Sequence, residues 1–171
     1  RPTVRCGAIN LLVFLLSITL AAANLLPSLA EFPAFFHSDE ARPVSLGERL
    51  LGCGGGDNNF RLTAIPLVVE WTDNRLDGSI AALLHGAVTC AFGRSVFTAR
   101  VTTAMMTLLA FAVLAIYLKV VWVNRFWAVF PLTLSLMPST ILTSRTGIGA
   151  TSPILFFCIA LLLHHRGTKG A

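Results

Sequence analysis

The sequence predicts an all-α fold: a multi-pass transmembrane helix bundle of about four spans. Its large external first loop is expected to carry short juxtamembrane helices. Three observations predict this. Uncharged apolar runs long enough to cross a bilayer, which takes about 20 helical residues, recur along the 171-residue chain. Only 12% of the residues are charged while 55% are hydrophobic, where a soluble domain carries about 25% charged residues. All eight acidic residues fall between Glu31 and Asp77, so one polar segment interrupts an otherwise greasy chain.

The elements follow in order within a single membrane domain, 1–171. The first span covers 8–30, behind Arg1 and Arg5. A signal peptide is the competing reading, but its apolar core runs about 7–15 residues. This run is longer and lacks an A-x-A exit, so an uncleaved helix is expected. Residues 31–100 form the external loop with interfacial helices. There Ser45 to Leu51 reads as helix, "GCGGGDNN" as a turn, and "IPLVVEW" as extended or buried. Gly78 to Gly93, "GSIAALLHGAVTCAFG", is apolar but too short to span, and suits a helix lying at the interface. The second span covers 101–123 and the third 126–144. The third holds Pro131 and Pro138, which membrane helices tolerate. The fourth covers 147–165.

Lysine and arginine at the flanks orient the bundle. With the first terminus in the cytoplasm, four spans put Lys119, Arg125, Arg166 and Lys169 on the cytoplasmic side and the acidic loop outside. The expected location is therefore the inner or plasma membrane. The formal charge of +5 is scattered beside apolar runs rather than gathered in a basic stripe, which argues against nucleic acid as a partner. Cys6, Cys53, Cys90 and Cys158 show no metal-ligand spacing. Cys158 reads as buried packing. Cys53 and Cys90 are able to meet outside the membrane, but spacing alone does not pair them. The arginine start and the "HHRGTKGA" end read as the edges of a segment of a longer protein.

The chemistry begins at "FFHSDEA". An Asp39–Glu40 pair just beyond a first span sits where lipid meets water. There it can reach a lipid-linked substrate and a polar acceptor together. Glycosyl transfer from a lipid phosphate needs a base for the acceptor hydroxyl and a cation for the departing phosphate. Aspartate supplies the first, directly or through a divalent cation; arginine or a metal supplies the second.

The order of motifs carries a resemblance. A first span leads to "P-x-F-F-H-x-D-E-A" and "SLGERLL". "FGRSVFTAR" over Phe92 to Arg100 follows, then Met137-Pro138 and Ser144-Arg145 leaving the third span. This series resembles the amino-terminal part of the GT-C membrane glycosyltransferases, similar to protein O-mannosyltransferases and lipid A aminoarabinose transferases. The resemblance implies a polyprenyl-phosphate-linked sugar as donor and an unspecified glycan, lipid or protein acceptor on the extracytoplasmic face. It implies Asp39 as catalytic base or metal ligand (magnesium or manganese), Glu40 orienting it, and Arg145 meeting the lipid phosphate. Arginine's planar fork suits that role. The sequence departs from the pattern in one place: members carry an acid a few residues after "S-R", where Gly149 and Ala150 stand here.

Plainer readings stand beside these. Asp39 and Glu40 complement a helix N-terminus, and the other six loop acids read as solvated charge. His37 suits the interface, and His85 a buried, hydrogen-bonded position. Trp71 offers a stacking face for a sugar; Trp122 and Trp127 fit an aromatic belt. Gly54-Gly55-Gly56 lacks the lysine of a phosphate loop, and Arg145 is equally an anchor that snorkels to the interface. As a whole, the alternative is a non-catalytic small membrane protein, or a degenerate remnant, acting as a scaffold or partner-binding module. A transporter is disfavoured, because the spans carry no charge between their flanks.

Overall fold

Helix forms wherever the sequence keeps a long uncharged run, and the contacts between helices fix their relative directions. The computed structural model describes residues 2–31, 38–53, 60–62, 68–71, 76–121, 125–141 and 151–169. In chain order these form α1 (Pro2–Leu25), α2 (Ser38–Leu50), β1 (Phe60–Leu62), β2 (Val68–Trp71), β3 (Leu76–Gly78), α3 (Ser79–Phe92) and α4 (Val96–Val121). A 3-10 turn (Arg125–Ala128), α5 (Phe130–Ser135) and α6 (Thr151–Lys169) complete the order.

Two helices are long and apolar enough to cross a membrane: α1 over Ala8–Leu25, and α4. They run antiparallel. Val13 and Phe14 share a cluster with Ala115 and Leu118, Ala21 and Leu25 pack with Leu108 and Phe111, and the Leu29 carbonyl accepts from Arg100. The segment 125–141 then rises beside α1. Trp127 packs on Phe14 with ring centroids 5.4 Å apart, the Leu132 amide donates to Ser17 Oγ at 3.0 Å, and Asn24 Nδ2 donates to Ser135 Oγ at 3.3 Å. Helix α6 descends parallel to α4, since Leu155 clusters with Met106 and Ala110 while His165 meets Tyr117, ring centroids 6.2 Å apart.

The third apolar run is not one continuous helix. Pro131 sits in the first turn of α5, where a missing amide costs nothing. Pro138 has no amide to return to Leu134, so the helix closes at Leu136, and a separate helical turn follows over 138–141. Helix α4 starts at Val96, ahead of the expected 101. Ser95 and Thr98 cap it reciprocally: the Thr98 amide donates to Ser95 Oγ at 3.0 Å and the Ser95 amide to Thr98 Oγ1 at 2.9 Å.

Inside the polar loop the helical expectation needs one amendment. Strands β1, β2 and β3 form an antiparallel meander, with Phe60 opposite Trp71 and Val69 opposite Asp77. Within "IPLVVEW", expected to be extended or buried, Val68–Trp71 forms the middle strand. Helix α2 is longer than the helix expected from Ser45, and it holds Pro43. Most of "GCGGGDNN" lies outside the described residues.

Candidate functional site

The site is built around α2, because Asp39 and Glu40 lie in its first turn. Pro43 cannot donate to the Asp39 carbonyl, so that first turn is held by fewer backbone bonds than an ordinary helix start. The other end of α2 is firmly closed. The Gly52 amide donates to the Arg49 carbonyl and the Cys53 amide to the Glu48 carbonyl, at 3.0 and 2.9 Å. With Gly52 at φ 71°, this is a Schellman cap. It aims Cys53 at Cys90 of α3, and the two are joined by a disulfide.

Helices α2 and α3 touch backbone to backbone. A Cβ on Gly47 would collide with the Ala82 carbonyl oxygen, and a Cβ on Gly86 would lie 2.7 Å from the Gly47 Cα. Only glycine permits this approach, and Leu46, Leu50 and Ala82 close over it. Arg94, in the turn between α3 and α4, reaches back to α2. It donates to Ser45 Oγ at 2.9 Å and pairs with Glu48 at 3.6 Å. Glu48, expected to be solvated charge, is instead buried at 7% exposure.

Two hollows border this collar and share one wall. A cavity of about 200 Å³ lies between Ala41 and Val44 of α2 and Ser95, Val96 and Ala99 at the start of α4, with Arg94 on its rim. A groove of about 790 Å³ runs between α3, α4 and α6, lined by Leu84, Phe92, Phe97, Met105, Leu109 and Leu155 among others. Its size falls within the range of small-molecule pockets, about 300–1,000 Å³. Ser95 lines both hollows. Ser95 thus stands between the groove and the cavity that Ala41 lines.

A polar seam borders the groove, and Thr98 and Thr102 belong to both. Thr98, Thr102, Thr103 and Thr107 of α4 are buried, as are His85 and Thr89 of α3. Thr102 and Thr107 hydroxyls donate to carbonyls one turn back, at 2.8 and 2.9 Å. His85 Nε2 stands 3.4 Å from Thr103 Oγ1, its Nδ1 is buried with no partner, and burial lowers the imidazole pKa to about 4. Arg100 is fully buried, and its guanidinium donates to the Leu29 carbonyl at 3.1 Å.

The structure places Asp39 and Glu40 in the first turn of α2, the helix whose Ser45 and Glu48 meet Arg94. Arg145, His37, Gly149 and Ala150 lie outside the described residues. Among the described residues no three His, Cys, Asp or Glu side chains converge on a metal-sized gap. Cys158 is buried and unpaired with another cysteine, as packing requires. Arg94 and Arg100 were legible only as members of "FGRSVFTAR". The fold explains that motif: Gly93 ends α3, Arg94 grips α2, Ser95 caps α4 and Arg100 fastens the exit of α1. No family model, curated protein or solved structure matches the chain.

Proposed function

We propose that this chain is the amino-terminal part of a membrane glycosyltransferase that moves a sugar from a polyprenyl-phosphate donor to an acceptor on the extracytoplasmic face. One observation supports the reading: a largely apolar groove on α4, a helix long and apolar enough to cross a membrane, shares Ser95 with the cavity beside the helix that bears Asp39 and Glu40. A donor with a long apolar tail and a reacting head needs that juxtaposition.

In this reading segments 125–141 and 151–169 supply the third and fourth crossings. The end carrying α2 and α3 faces out. The Cys53–Cys90 disulfide supports that orientation, because such bonds persist in oxidising compartments. So does Lys119, which lies at the opposite end of α4, 4.8 Å from the Trp127 ring centroid. The isoprenoid tail lies in the groove, and its phosphate reaches Arg94 and Arg145. Asp39, oriented by Glu40, takes the acceptor hydroxyl proton directly. The acceptor oxygen then bonds to the anomeric carbon as the carbon–oxygen bond to phosphate breaks, and the arginines meet the charge released on phosphate.

The test uses the full-length protein in membranes with a photoreactive polyprenyl phosphate. Labelling is expected on α3, α4 or α6 at the groove, and filling the groove with Met105→Trp and Leu109→Trp is expected to remove it. Asp39→Asn should retain the label and lower transfer about 10²–10⁴-fold, the usual contribution of a general base. Labelling that ignores the groove variants defeats the donor site. Undiminished transfer in Asp39→Asn removes Asp39 from the chemistry, and no transfer by any variant favours the scaffold reading.

A further inference from the structure

The α2–α3 hairpin is held by contacts of very different strength. Helix α2 has 13 residues, at the lower limit at which helices persist alone in water, about 12–15 residues. Pro43 weakens it further. Its contact with α3 is close but short: Gly47 and Gly86 meet backbone to backbone, with Leu46, Leu50 and Ala82 packed around them. The Arg94–Glu48 pair joins a buried carboxylate to an arginine that stays 56% exposed, at 3.6 Å, so solvent screens one side of it. The one covalent tie is the Cys53–Cys90 bond, and both cysteines lie at the surface.

We propose that the Cys53–Cys90 disulfide is an exchangeable latch: oxidised, it seats α2 on α3; reduced, it lets α2 and its Asp39–Glu40 turn leave. Surface disulfides are open to thiol exchange. The partner is an extracytoplasmic dithiol oxidoreductase. In the opening direction its thiolate attacks one sulfur, forming a mixed disulfide and releasing the other cysteine as thiolate. Its second thiolate then displaces the first cysteine, so two electrons and two protons pass to Cys53 and Cys90, and the partner ends as a disulfide. Closing is the reverse, with an oxidised partner taking up the electrons. The proposal rests on the outward orientation of α2 and α3 in the reading above and does not require its transferase chemistry.

The test places the full chain in vesicles with the α2–α3 end outward. An impermeant phosphine reductant is followed by a maleimide mass tag and limited trypsin. Reduced wild type should gain two tags and be cut at Arg49 at least about tenfold faster, the release of a closed-loop constraint. Cys53→Ser with Cys90→Ser should be cut at the fast rate with or without reductant. Wild type that gains both tags and keeps its slow cleavage overturns the latch. So does wild type that gains no tag. Equal acceleration at Arg100, buried in α4, also overturns it, because the bond would then maintain the whole fold. None of these readouts is sugar transfer, so failure here is distinct from failure of the enzymatic proposal.

Discussion

Helices α1 and α4 have nearly equal mean hydropathy and both are long enough to span a bilayer, yet they occupy opposite environments. Within the apolar window only 17% of α1 is buried, against 39% of α4. Helix α1 turns Ile9, Leu12, Leu16 and Leu20 outward. Helix α4 keeps Ala99, Ala104, Ala110 and four threonines inside, with Arg100 among them. In lipid, burying leucine gains nothing over leaving it in the hydrocarbon. Small and polar residues are what pack helix on helix. The centre of this molecule is therefore its less purely aliphatic helix.

The sharpest way to break that contrast is at Arg100. Replacing it with alanine strips the Leu29 carbonyl of its donor and leaves a void, and is expected to cost about 3–5 kcal/mol. The check is denaturant unfolding in detergent micelles. Gly86→Val comes next, at about 3 kcal/mol, because the added methyls meet α2 backbone that cannot yield as a side chain would. Gly93→Ala, at an open position, is the contrasting substitution; it costs only the strain of its φ of 86°.

A third experiment reads the polar seam through pH. His85 has its folded pKa lowered to about 4 by burial, below the ordinary value near 6.5. The unfolded chain therefore takes up the proton first as pH falls. Stability is full above about pH 6.5, declines between about 6.5 and 4 by up to about 3 kcal/mol, and is level below that. His85→Gln should flatten this profile. The smallest effect belongs to α1: Leu16→Ala, at 59% exposure, should change stability by less than about 0.5 kcal/mol. A cost of about 2 kcal/mol there would mean that α1 has a protein neighbour where lipid is assigned.

Much of the helical framework was legible because hydropathy and length are local properties. The runs 8–30 and 101–123 became α1 and α4, and the short run of Gly78 to Gly93 became α3. Partner choice was not legible. Apolar content does not say which face of α4 receives α6, and nothing near Gly47 announces that it opposes Gly86, 39 positions away. Glu48 read as solvent charge because its cover comes from Arg94, which is remote in sequence. Sheet β1–β3 escaped notice since its strands have three or four residues each, too short for alternation to register. Of the candidate site, the acid pair was named from its setting. The groove beside it depends on three helices meeting, and Arg94 and Ser95 gained their roles only from where those helices end.

The bond between Arg100 and Leu29 spans 71 positions, and this separation bears on biogenesis. At about 5–20 residues per second of synthesis, α1 leaves the ribosome several seconds before the arginine that will fasten its exit turn exists. Until then the Ser28 turn, at φ 55°, rests on its local bond from the Glu31 amide to the Ser28 carbonyl at 3.1 Å. Packing of α4 against α1 supplies the missing donor, so a ribosome stalled before residue 100 should leave the Leu29 carbonyl without it.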